Sequence, residues 1–199
     1  MKRTLLTTLS CLSALAVGPV LAQTPPFPLV QTIGSGSNES FFVLDFEDGS
    51  SSPSYAFGYL YNEPATGPQL TGYDLINALV NANIGLTDTV TQYSFGPAID
   101  SFSYAGHSQG GFQNNGYWSY WLSNDGQNWT ASNFGPADPH STLTNGSYDG
   151  WAYDVNSQVT NGPVTPRISP AVPEPDAAWL LLAGLPVLLA ARRRRARVG

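Results

Sequence analysis

The chain has 199 residues and a formal net charge of −6, long enough for one domain with a sizeable core. Its eight Lys and Arg residues lie at positions 2, 3, 167, 192–195 and 197, so residues 23–172 set one cation against twelve acids, a net −11. Such a body repels phosphate backbones, and nucleic-acid binding is excluded. The single cysteine, Cys11, sits in an amino-terminal apolar run. Residues beyond it therefore have no internal disulfide, cysteine nucleophile or cysteine-bound metal.

Lys2 and Arg3 precede an apolar stretch over residues 5–21 that closes on Val20-Leu21-Ala22. A charged start, a short apolar run and small residues at its end form a secretory signal peptide over 1–22, removed by signal peptidase ahead of Gln23. The globular domain is expected over 23–162. In it, the apolar run 41–46 reads as a strand closed by Glu47-Asp48-Gly49. Residues 55–61 carry aromatics at 55, 57, 59 and 61 on one face, the period of a strand. Thr71-Gly72-Tyr73-Asp74 resembles a capping box, and Leu75, Ile76, Leu79 and Val80 then share a face, predicting a helix over 72–83. Further strands are expected near 89–94, 99–104, 117–122, 128–132 and 151–155. Asp125-Gly126 marks a hairpin, because both residues tolerate positive φ. Strand geometry turns Trp118, Tyr120 and Leu122 one way, Tyr117 and Trp121 the other. The fold class is α+β and β-dominated: one helix on a mostly antiparallel sheet, flanked by a signal helix and a carboxy-terminal transmembrane helix.

Four constellations could carry chemistry. Gly106-His107-Ser108-Gln109-Gly110 satisfies the G-x-S-x-G pattern of a nucleophile elbow, and Asp125, Asp138 and His140 follow in the order of a triad. An elbow needs a helix directly after the serine and repeated βα units around it; here a polar, glycine-rich loop is expected and only one helix exists. A serine hydrolase at Ser108 is thus a distant alternative, and no residue is assigned as catalytic. Asp45, Glu47 and Asp48 cluster without the spacing of a calcium loop, and Asp125 and Asp149 each precede a glycine, so solvated turn acids are expected. A metal site on His107 and His140 would need the two to meet. No cofactor is expected. Trp118, Trp121 and Trp129, among Asn and Gln side chains, have the composition of a sugar-binding surface. The competing expectation is that they fill the core of a domain without disulfides.

Five prolines fall between Pro163 and Pro175, a density that favours an extended stalk over 163–175. Val172-Pro173-Glu174-Pro175 leads into apolar residues 177–191, then Arg192, Arg193, Arg194 and Arg195, closing the segment 176–199. The apolar run is short of the roughly 20 residues that span a bilayer, and the arginines behind it should stay cytoplasmic. This order resembles the PEP-CTERM sorting signal of Gram-negative bacteria. The resemblance implies that an exosortase-type membrane protease recognises Pro173, Glu174 and Pro175, that 177–191 is a transient anchor, and that Arg192 to Arg195 stop transfer. An ordinary single-pass anchor is the plainer alternative.

Asp45-Phe46-Glu47-Asp48-Gly49, Ser54-Tyr55-Ala56-Phe57-Gly58-Tyr59, Gly72-Tyr73-Asp74-Leu75, Tyr117-Trp118-Ser119-Tyr120-Trp121 and Asp149-Gly150-Trp151 resemble a group of bacterial PEP-CTERM surface proteins. The later part is also similar to the carboxy-terminal domain of transcobalamin-like proteins, a small α+β unit with one helix on a sheet. Cobalamin binding does not follow, because the accompanying helical barrel is missing. The expectation is an exported, non-enzymatic surface or extracellular-matrix protein, first membrane-anchored and then at the cell surface or outside it. The alternative is a carbohydrate- or exopolysaccharide-binding module delivered the same way.

Overall fold

The structure is a computed structural model that describes residues 24–47, 54–111, 116–156, 158–159 and 161–166. The segments expected as signal peptide, Pro-Glu-Pro element, apolar anchor and arginine stop lie outside the described residues. Nine strands and one α-helix occur among those described: β1 (Gln31–Gly34), β2 (Asn38–Asp45), β3 (Ser54–Tyr61), α1 (Gly72–Asn81), β4 (Thr87–Tyr93), β5 (Gly96–Tyr104), β6 (His107–Gly110), β7 (Gly116–Ser123), β8 (Thr130–Ala131) and β9 (Tyr148–Val155).

Six strands form one sheet in the order β1-β3-β2-β9-β7-β8, and β4-β5-β6 form a second. The small sheet is antiparallel throughout. The large sheet is mixed, because β1 runs parallel to β3 and β2 parallel to β9. The other pairings are antiparallel, as expected, and these two parallel ones make the large sheet mixed. A parallel pairing requires a long crossover between its strands. The chain between β2 and β9 supplies one that contains the helix and the entire small sheet.

β2 is central, which explains its composition. Phe41, Phe42, Val43 and Leu44 are all fully buried, so the run lacks the alternation of a half-exposed strand. Phe42 and Leu44 join the main core with Leu75, Ile76 and Leu79 of α1 and Phe102 and Tyr104 of β5. Phe41 and Val43 face the other way, into a smaller cluster with Phe27, Ala56 and Tyr148. Burial of each large aliphatic side chain of α1 contributes about 2 kcal/mol. Phe102 ties the small sheet down, its ring centroid 5.0 Å from that of Trp118 and 5.5 Å from that of Trp151. The helix begins where expected and stops two residues earlier. Asp74 accepts hydrogen bonds from both the Thr71 amide (2.8 Å) and its hydroxyl (2.9 Å), which fixes the first turn.

The end of the described chain is folded onto the domain. Pro163 and Pro166, expected in a stalk, are buried. The Val164 amide donates to Asp45 at 2.8 Å, and the Val164 carbonyl accepts from the Ser54 hydroxyl at 3.0 Å. Residues 161–166 thus strap the second face of the large sheet.

Candidate functional site

The three tryptophans singled out by composition do not share an exposed face. Trp118 is buried in the main core, and Trp121, on the opposite face of β7, is buried as well. Trp129 lies over Gly150, where a Cβ would come within 2.6 Å of its ring. Of the two readings of these residues, their packing on both faces of the sheet agrees with the core one.

Ser108 is not on an elbow. Tyr104 pairs with His107 across the two-residue turn Ala105-Gly106, whose φ values are +51° and +86°. That is a hairpin of the kind right-handed strand twist favours. Ser108 itself lies on strand β6, so the residues directly after it continue a strand where an elbow requires a helix. The Ser108 hydroxyl is hydrogen-bonded to that of Ser103 at 2.7 Å. His107 lies beside the rings of Phe46 and Tyr55, whereas His140 belongs to a separate short 3-10 turn, Pro139–Ser141. Among the described residues no three His, Cys, Asp or Glu side chains gather where a metal could be held.

The acids divide differently from expectation. Asp125 is an exposed turn acid, as its sequence implies: its carboxylate accepts the amides of Gln127 (2.9 Å) and Asn128 (2.8 Å), which hold its pKa low. Asp48 lies outside the described residues. Asp45, Asp149 and Asp154 are buried. Asp45 ends β2 under the strap, and burial raises its pKa despite the Val164 amide. Asp149 pairs with Phe42 and Leu122 in the middle of the sheet. Removal from water pushes its pKa up to about 7, against the opposing hydrogen bond from the Tyr120 hydroxyl. The Tyr120 hydroxyl is in turn held strongly protonated, first by burial and then by the Asp149 charge. A carboxyl without a cation beside it favours its neutral form when desolvated.

Asp149 also floors a groove of about 400 Å³. One wall is the β7–β8 hairpin, with Leu122, Ser123, Asn124, Asn128 and Thr130; the other is the loop carrying His140, Thr142, Thr144 and Ser147. That loop is fixed to the start of α1 by the Tyr73 amide on the Pro136 carbonyl (3.0 Å), and to the residue before its cap by the Leu143 amide on the Leu70 carbonyl (2.8 Å). Asp138 caps the 3-10 turn through the His140 amide (2.9 Å) and holds the imidazole Nδ1 at 2.6 Å. Phe134 stacks on the same imidazole, centroids 4.0 Å apart and planes 9° from parallel. Of the groove's residues only His140 was singled out as a ligand candidate in the sequence, and Asp149 was assigned to a turn. The Asn-Asp-Gly-Gln-Asn stretch reads only as a hairpin turn, and Thr-Leu-Thr-Asn-Gly-Ser carries no pattern that points to a site.

No family model and no curated protein matches this chain.

Proposed function

We propose that the protein is an exported surface or extracellular-matrix protein without enzymatic activity, delivered by a carboxy-terminal sorting signal. The observation that carries this reading is the ordered segment Pro173-Glu174-Pro175, apolar residues 177–191 and Arg192 to Arg195, together with the signal-peptide pattern of residues 1–22. The Pro-Glu-Pro element would be read by an exosortase-type protease while the apolar run holds it at the membrane and the arginines prevent passage. A body without cysteine, whose core is closed by aromatics, suits life outside the cell without oxidative folding. The non-enzymatic part is supported by Ser108, bonded to a serine hydroxyl on a hairpin strand where a nucleophile would need a base.

The test replaces Pro173, Glu174 and Pro175 by alanine in a host containing exosortase. Hydrophobicity and the order of charge in the tail barely change, so a plain anchor would not respond. A recognised signal predicts an unprocessed precursor held in the membrane. Identical fractionation and mass for the wild type and the replacement would reduce the segment to an ordinary short anchor.

A further inference from the structure

We propose that the groove between the β7–β8 hairpin and residues 138–147 binds a neutral, hydroxyl-rich glycan. The proposal is independent of how the tail is processed. Its volume of about 400 Å³ lies in the range of roughly 300–1,000 Å³ typical of small-ligand sites.

The chemistry of the walls selects the ligand class. Among the described residues no Lys or Arg lines the groove, and the surrounding body is strongly acidic; a phosphate, sulfate or uronate would be repelled and would meet no counter-charge from those residues. A cation would find one carboxyl, that of Asp149, already engaged by the Tyr120 hydroxyl and favouring its neutral form. An apolar ligand would strand the amides and hydroxyls that make up most of the lining, leaving each desolvated without a partner. Side-chain amides and hydroxyls can both donate and accept, which matches the mixed donor and acceptor capacity of sugar hydroxyls. Asn124, Thr130 and Thr144 present theirs at exposed positions.

Sugars also carry an apolar C–H face, and the groove offers a ring to meet it. The His140 ring is backed by Phe134 and fixed in rotation by Asp138. Its side chain is nevertheless 67 % exposed, so the ring stays accessible beyond its contact with Phe134. A ring clamped before the ligand arrives loses little entropy on binding. The walls are similarly fixed: Asp125 holds the Asn128 side chain at 2.7 Å, and the Thr142 hydroxyl donates to the Pro139 carbonyl at 2.6 Å.

The experiment is affinity electrophoresis of the full chain, solubilised in detergent, through gels containing dextran, galactomannan or alginate. At least one neutral polysaccharide should retard the protein, and the anionic alginate should not. His140→Ala should weaken that retardation about tenfold, equivalent to 1.4 kcal/mol. A second variant, Thr130→Val combined with Thr144→Val, removes only exposed hydroxyls and should weaken it severalfold with an unchanged melting temperature. The proposal is overturned if neither neutral polysaccharide retards the wild type, if alginate alone does, or if folded variants migrate as the wild type does.

Discussion

Asp149 concentrates the electrostatics of the domain in one side chain. Its folded-state pKa of about 7 stands above the ordinary carboxylate value of 3.8, chiefly through burial, and Asp45 is raised for the same reason. The folded protein therefore binds more protons than the unfolded chain between those values. The stability linked to these groups is complete below about pH 4 and is lost as pH rises through about 7. Thermal melts should give a higher Tm at pH 5 than at pH 8. Asp149→Asn should flatten the Asp149 part of this dependence, on the order of 3 kcal/mol across the window, because an amide oxygen still accepts from Tyr120 without titrating. A wild-type Tm that rises steadily from pH 5 to pH 8 would show Asp149 to be an ordinary ionised acid. Gly72 belongs to the same cluster: a Cβ there would press on both the Asp149 carboxyl and the Tyr120 hydroxyl. Gly72→Ala should cost about 1–3 kcal/mol by overpacking. Gly135→Ala, where a Cβ meets nothing within 4 Å, should be close to neutral in the same denaturant titration.

Among the elements, the strap over 161–166 supports the second sheet face alongside Phe27 and Trp129. Ending the chain at residue 160 would leave the Asp45 carboxyl without its Val164 donor and uncover Gly150, against which Pro163 packs. Such a truncation should lower the Tm by several degrees, read by calorimetry; an unchanged Tm would make the strap a passive linker. Strands with a distinctive pattern were legible in sequence: β3 through its alternating aromatics, β2 through its unbroken apolar run, and α1 through its capping box and apolar face. The small polar strands β1 and β6 were not, because Gln-Thr-Ile-Gly and His-Ser-Gln-Gly at sheet edges bury too little to leave a period. Asp149-Gly150 was misleading for a specific reason. The pair has turn chemistry, yet Gly150 is required in mid-strand so that Trp129 can lie against it, and Asp149 is tolerated there through its bond to Tyr120. The groove was hidden for a related cause: it is built from two separate polar turns, brought face to face only when β7 and β9 pair.

At the scale of the whole molecule, sequence and fold divide the work. Among the described residues no helix is long and apolar enough to cross a membrane, and the segments assigned to export and anchoring lie outside the described body. The body itself is a two-faced mixed sheet, closed on one side by α1 and the antiparallel sheet and on the other by the strap and Trp129. The proposed role as a displayed module would depend on those outer segments being removed at the right places. The most direct measurement is the intact mass of the surface or released form recovered from a host with exosortase. Export followed by sorting predicts a chain that begins at Gln23 and has lost the apolar run and the arginine cluster beyond Pro175. A recovered form that retains Met1, or that still carries Arg192 to Arg195, would contradict it.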